Sequence, residues 1–290
     1  MAATGTWVWM DGNVTLAGLA TVDATDRGFQ LGDGVFETVR VQRGRAFALG
    51  RHLARLRVGA GRVGIDLPWD DATIRAACEK TIAAASGPAT DQRRADDPLL
   101  RLRVTVSGGV GSVHAARTDL IPSLVISLTP AEPSNAIADV VTMEHGINEH
   151  SPIAGVKTTS RADYLARLAL ARERGASEAV LANIAGVLCE GTGSNVFVTV
   201  GGRLCTPSLR TGCLAGVTRG LVCDLVEVVE RDDLTLDHLR SAPEAFLTST
   251  MRGITPIASV DGRPLRTAPG PLTEAAGGAL DSLRLRTSEP

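Results

Sequence analysis

Residues 100–107, Leu-Arg-Leu-Arg-Val-Thr-Val-Ser, alternate without a break between apolar and polar side chains. Successive side chains of a strand point to opposite faces, so this run satisfies both environments only as a strand with one buried face. Leu100, Leu102, Val104 and Val106 are thereby assigned to a core, and the chain needs at least one half-covered sheet. The flanking sequence supplies partners for it. Residues 7–10 and 13–16 surround Asp11-Gly12 as a hairpin on a tight turn. Residues 35–41 and 45–49 form a second hairpin around Gln42-Arg43-Gly44, and residues 123–129 form a further strand. Helical spacing marks residues 52–63 and 71–85, and residues 86–98 read as a polar loop.

A length of 290 residues accommodates two domains. Residues 129–135, with Pro130 and Pro133 between a strand and a new apolar segment, are the linker expected between domains at 1–128 and 136–290. In the second half, residues 161–174 are helical, with Ser160 as the expected cap and Gly175 as the stop. Strands are expected at residues 179–182, 187–189, 195–200, 203–205 and 245–248, with helices at 218–229 and 271–285. The fold class is α/β (α+β), in two domains, with no internal repeat.

A net charge of -2 gives no electrostatic reason to bind nucleic acid or an anionic membrane, and no apolar run approaches a membrane span. Five scattered cysteines without metal spacing favour reduced thiols and a cytoplasmic location. His145 and His150 lack a third ligand, so no metal is expected. Gly109-Val110-Gly111 lacks the third glycine of a dinucleotide fingerprint, and Gly191-Thr192-Gly193-Ser194-Asn195 is not a serine-nucleophile elbow.

Two lysines stand against twenty-eight arginines. Lys80 follows Glu79 in a helical stretch and reads as a solvated charge. Lys157, in Gly155-Val156-Lys157-Thr158-Thr159, is either a snorkelling strand-end lysine or an amine kept because only an amine can lose its proton and attack a carbonyl. Three segments suit an anion. Leu214-Ala215-Gly216-Val217-Thr218 opens a helix with free N–H groups, Thr248-Ser249-Thr250 places hydroxyls at a strand end, and Gly50-Arg51-His52 puts a guanidinium at a helix start. Glu190, leaving an apolar strand for a Gly/Ser/Asn loop, either solvates that loop or holds a cation such as a protonated pyridine nitrogen.

Taken in order, residues 26–38 (Asp-Arg-Gly-Phe-Gln-Leu-Gly-Asp-Gly-Val-Phe-Glu-Thr), Arg51-His52-Leu53-Ala54-Arg55-Leu56, Lys157-Thr158-Thr159, residues 190–197 and Gly216-Val217-Thr218-Arg219 resemble the fold-type IV pyridoxal-phosphate enzymes. This family of class IV aminotransferases includes D-amino-acid transaminases, branched-chain aminotransferases and aminodeoxychorismate lyases. The resemblance implies a smaller N-terminal α/β domain, a larger C-terminal pseudo-barrel domain that binds the cofactor, and a homodimer. It implies pyridoxal 5′-phosphate as the cofactor, with Lys157 joined to its aldehyde and then moving a proton between the substrate α carbon and the cofactor. Glu190 would pair with the pyridine nitrogen, and Arg51, the Val217 N–H, Thr218 and Thr250 would hold the phosphate. Leu214 would pack on the ring, Ser194 and Asn195 would join a network around Glu190, and Tyr164 would reach the phenolic oxygen.

Strand alternation puts Phe36, Thr38 and Arg40 on one face, as a candidate wall and carboxylate site for the substrate. Where Bacillus-type relatives carry an arginine and a histidine as a carboxylate trap, this chain has Ser107-Gly108-Gly109-Val110-Gly111, with His114 and Arg117 out of register. The expected activity is amino transfer between a D-amino acid, or an (R)-amine, and a 2-keto acid. Aminodeoxychorismate lysis is the alternative, branched-chain L-amino-acid transfer ranks third, and a cofactor carrier without turnover ranks last.

Overall fold

The Asp11-Gly12 turn, both residues at positive φ, joins β1 (Trp7–Met10) to β2 (Asn13–Leu16). The computed structural model describes residues 5–86, 98–112, 114–132 and 137–290. After the short α1 (Arg27–Leu31), capped by the Asp26 carboxylate, come β3 (Gly34–Gln42), β4 (Arg45–Ala46), α2 (Leu49–Arg62), α3 (Asp71–Ser86), β5 (Leu100–Ser107) and β6 (Ser123–Pro130). The strands make one six-stranded sheet in the order β2-β1-β6-β5-β3-β4. Alternation along β5 sorts the side chains as the sequence predicts. Leu102, Val104 and Val106 are buried in a cluster with Val35, Val39 and Val41 of β3 and with Leu49, Leu53, Leu56 and Ile74 of the two helices. The second hairpin is shorter than expected, because Leu49 already begins α2. Of the expected 86–98 loop, residues 87–97 lie outside the described residues.

Chain contacts divide the protein into two units, and the division is not the continuous one expected at 129–135. Thr129 and Pro130 end β6, while residues 133–135 lie outside the described residues. Val156–Ser160, which interrupts the second unit, and Thr287–Pro290, which follows it, both belong to the first unit. Hydrogen bonds from Phe36 N to Lys157 O (3.0 Å) and from Thr159 N to Gly34 O (2.9 Å) explain the first of these returns, since the segment pairs with the start of β3. The Ala48 N–H donates to Ser288 O (2.7 Å) and ties in the C-terminus.

The second unit contains β7 (Ala138–Ile147), α4 (Ala162–Glu173), β8 (Glu178–Asn183), β9 (Leu188–Gly191), β10 (Asn195–Val200), β11 (Arg203–Pro207), α5 (Val217–Leu225) and β12 (Val229–Arg231). It continues with α6 (Leu236–Arg240), β13 (Ala245–Ser249), β14 (Gly253–Val260), β15 (Arg263–Pro264) and α7 (Pro271–Arg286). Its sheet runs β12-β11-β10-β13-β14-β7-β8-β9, and an added β9–β10 pairing closes it into a barrel. Leu188, Val196, Val198, Leu247 and Ile257 belong to one apolar cluster of this unit. The α/β class with sheets and a barrel is thus as expected. Ser160 does not cap α4. Its N-cap is Arg161, without a side-chain bond, while Gly175 at φ +76° follows its end. The expected 218–229 helix stops at Leu225, and Val229 starts β12. Among the described residues no helix is long and apolar enough to cross a membrane, and no acid, histidine or cysteine cluster forms a metal site.

Candidate active site

In the first unit, Lys157 is half-buried, and its Nζ lies 4.6 Å from the Phe36 ring centroid. Its backbone is fixed by the Phe36 N–H, and an isolated bridge joins Thr158 to Val35. Phe36, Thr38 and Arg40 share the face of β3 opposite the valine core, as alternation required. An Arg40 Nη2 donates to Gln42 Oε1 (3.1 Å).

Arg51 is exposed, and its Nε donates to Pro290 O (3.0 Å). The inward-facing polar side chains of α2 are instead His52 and Arg55, three residues apart and therefore neighbours on one side of the helix. Arg55 Nε and Nη2 each donate to an oxygen of Glu37 at 2.7 Å, and His52 Nδ1 donates to Glu37 Oε2 at 2.6 Å. Burial raises the Glu37 pKa, but the Arg55 charge and the bonds from Arg55 and His52 outweigh it and lower it to about 2. Burial pushes the His52 pKa down, so the ring is neutral near pH 7. An ionised Glu37 only accepts hydrogen bonds, which places the ring proton on Nδ1.

In the second unit the barrel closes at a single residue pair, Asn195 opposite Glu190, and Asn195 also pairs with Thr248 across β13. The β8–β9 register slips by one residue between Leu188 and Glu190, a bulge that re-aims Glu190. The buried carboxylate accepts Tyr164 O–H on Oε1 and Leu214 N–H on Oε2, both at 2.8 Å. Asn195 Nδ2 donates to Leu214 O (2.8 Å), so the Leu214 backbone is held on both sides. The loop then enters α5 at Gly216, an N-cap with no side-chain bond, leaving Val217 and Thr218 in the first turn. A methyl on Gly216 would lie 2.0 Å from Asn195 Oδ1, so only glycine allows this approach.

Two expected contacts fall elsewhere. Tyr164 spends its hydroxyl on Glu190, and Arg161 stacks 3.8 Å over its ring. Burial and the Glu190 charge raise the Tyr164 pKa, so it remains a donor. Ser194 donates to Glu178 Oε1 (2.5 Å), not to Glu190. Glu178, buried and unsuspected from sequence, also accepts Gly193 N–H (2.9 Å) and pairs with Arg252 (2.6 Å). Arg252 Nε in turn donates to Ser249 Oγ (3.2 Å), so one carboxylate braces the glycine loop and the Ser249-Thr250 turn together. Thr250 is half-buried in that turn.

The donor set suits a phosphorylated pyridine. The uncapped helix start, the Thr218 hydroxyl and the Thr248 Oγ1, which is buried without a hydrogen-bond partner, suit a phosphate, and Glu190 suits a ring cation. A barrel carrying these groups defines a pyridoxal-phosphate enzyme of fold type IV. Residues 34–260 match the class IV amino-transferase family, and the chain belongs to it. Class IV aminotransferases use pyridoxal 5′-phosphate and act on amino and keto acids. Over 267 residues the chain is 32% identical to the D-alanine aminotransferase of Bacillus licheniformis, spanning 90% of this chain and 91% of the relative. The crystal structure of the branched-chain aminotransferase of Thermoproteus uzoniensis superposes with a TM-score of 0.86 at 26% identity, covering 97% of this chain and 95% of that one. A hypothetical aminotransferase of Mycobacterium tuberculosis in its pyridoxal-phosphate-bound form gives 0.81 at 26% identity, covering 96% and 98%.

Proposed function

We propose that this aminotransferase moves an amino group between a D-amino acid and a 2-keto acid such as 2-oxoglutarate or pyruvate, working as a homodimer. The observation that carries amino transfer is Lys157, a half-buried amine with a fixed backbone against the Phe36 ring. The 32% identity to a D-alanine aminotransferase supports the D-amino acid. Bound pyridoxal phosphate supplies an electron sink for charge developing at the substrate α carbon. Lys157 takes and returns the α proton, which requires an amine that cycles between charged and neutral forms. Glu190 keeps the pyridine nitrogen protonated, and the Tyr164 and Leu214 bonds fix its orientation. The start of α5, with the Val217 N–H and Thr218, holds the phosphate together with Ser249 and Thr250. Leu214 would pack on the ring, and Asn195 holds the Leu214 backbone in place. Among the guanidiniums of α2 we assign the phosphate to Arg55 before Arg51, because Glu37 fixes Arg55 from a buried position while Arg51 is exposed.

The branched-chain reading is supported by the 0.86 TM-score to such an enzyme and by 30% identity to a putative branched-chain aminotransferase of Methanocaldococcus jannaschii. Titrating the visible absorbance of the loaded enzyme with D-alanine, L-leucine and aminodeoxychorismate, with product identification, separates the readings. The expected result is bleaching by D-alanine and recovery with 2-oxoglutarate. Response to L-leucine alone supports the branched-chain reading, and pyruvate with 4-aminobenzoate from aminodeoxychorismate alone supports a lyase.

A further inference from the structure

The face of the first unit's sheet that turns away from the valine core is a cationic surface. Registers across β3, β5 and β6 set Phe36 beside Thr105 and Val125, Thr38 beside Arg103 and Ser127, and Arg40 beside Arg101 and Thr129. Three of these nine side chains are guanidiniums and none is a carboxylate. Carboxylates of this sheet region lie elsewhere: Glu37 is on the core side, and Asp33 precedes the strand, bound to Arg27 and Arg117. Arg103 is the one that meets the lysine's neighbourhood. Its Cζ stands 3.7 Å from the Phe36 ring centroid, the same ring that Lys157 Nζ approaches to 4.6 Å. Its Nε donates to Thr105 Oγ1 (3.1 Å), so the half-buried fork is held by both the ring and a hydroxyl.

We propose that Arg103 receives the α-carboxylate of the amino-acid and keto-acid substrates. The assignment rests on the amino-transfer reading above and adds the group that selects acids over simple amines. Two distances to one centroid cap the separation of Lys157 Nζ and Arg103 Cζ at about 8 Å. An α-carboxylate carbon lies about 2.5 Å from the amino nitrogen, and a two-pronged guanidinium pair sets the two carbon centres about 4 Å apart. The sum fits beneath the cap. A carboxylate at the far end of a glutamate side chain adds about 3 Å and exceeds it when extended. Arg40, the arginine favoured by strand alternation alone, lies two residues beyond Thr38 toward the β4 end and bonds to Gln42.

The test compares Arg103→Gln, Arg103→Lys, Arg40→Gln and Arg101→Gln with wild type in steady-state transfer from D-alanine and D-glutamate to keto acid, alongside thermal midpoints and the visible spectrum of the bound cofactor. Arg103→Gln is expected to raise KM for D-alanine about a hundredfold with kcat within a few-fold, the pattern of a lost charge-assisted binding contact. Arg103→Lys, which keeps the charge without the fork, is expected to raise it about tenfold, and serves if the glutamine variant fails to fold. Arg101→Gln is expected to change it less than threefold. Unchanged KM in both Arg103 variants overturns the assignment alone, and a large effect in Arg40→Gln instead moves the subsite to Arg40. A loss confined to D-glutamate makes Arg103 a side-chain receptor and overturns the α-carboxylate assignment. A wild-type enzyme that transfers from no amino acid overturns both this inference and the reading beneath it.

Discussion

Replacing Glu37 by glutamine tests the charge arrangement beneath the candidate site. The carboxylate is 1% exposed and accepts two bonds from Arg55 and one from His52. Its pKa falls from the usual 4.5 to about 2, although burial alone would raise it. A folded-state pKa below the unfolded one means stability that is fully present above 4.5 and is lost as pH falls through 2. At about 1.4 kcal/mol per unit, that shift corresponds to about 3 kcal/mol at pH 7 and about 1 kcal/mol at pH 3. Urea unfolding of wild type and Glu37→Gln at the two pH values is the assay. The gap in stability is expected to shrink by about 2 kcal/mol between pH 7 and pH 3. A glutamine N–H facing Arg55 adds a pH-independent loss to both measurements, so the change in the gap is the quantity that counts. A gap of the same size at both pH values would refute the ionised, Arg55-bound carboxylate.

Gly216→Ala drives a methyl into Asn195 Oδ1 and displaces the Leu214 clamp; cofactor affinity by equilibrium dialysis is expected to fall at least about tenfold, the scale of an overpacking cost of 1–3 kcal/mol. Tyr164 is the sole tyrosine of the chain, and its pKa is raised by burial and Glu190, so ultraviolet titration should show no tyrosinate near pH 10 in the folded protein and full ionisation once it is unfolded. Glu178→Gln removes the charged partner of Arg252 and weakens the brace on two loops; a stability loss of about 1.5 kcal/mol is expected by chemical denaturation, the scale of a weakened charge-assisted hydrogen bond.

What the sequence made legible was local. The 100–107 alternation and the Asp11-Gly12 turn each act through neighbours a few residues apart. What it hid depended on long-range pairing. Nothing in Val156–Ser160 announces that it joins the first unit, because its partners are the backbone groups of Gly34 and Phe36. Glu178 and Arg252 are 74 positions apart, and Arg103 and Phe36 meet only through the β3–β5 register. The inward turn of Arg55 and the outward turn of Arg51 are recoverable in principle. With Leu49, His52, Leu53 and Leu56 buried, helical period sets residue 55 beside His52 and residue 51 toward solvent. A start at Leu49 in place of residue 52 makes that face clear.

The scarcity of lysine yields its own test, because the two lysines have opposite reasons to exist. Lys80 is exposed on α3 and donates to the Gly12 carbonyl, a role that a guanidinium performs as well. Lys157 lies against Phe36, where a guanidinium would keep both the charge and the ring contact. Lys80→Arg is therefore expected to leave activity and melting temperature unchanged. Lys157→Arg is expected to keep the melting temperature of the cofactor-free protein, to lose the visible absorbance of the loaded enzyme, and to lower transfer at least about a thousandfold, because arginine does not release its proton. If both substitutions are silent, the scarcity of lysine is only a compositional bias. If Lys157→Arg instead unfolds the protein while Lys80→Arg does not, Lys157 is held for packing, and the case for its chemistry falls with it.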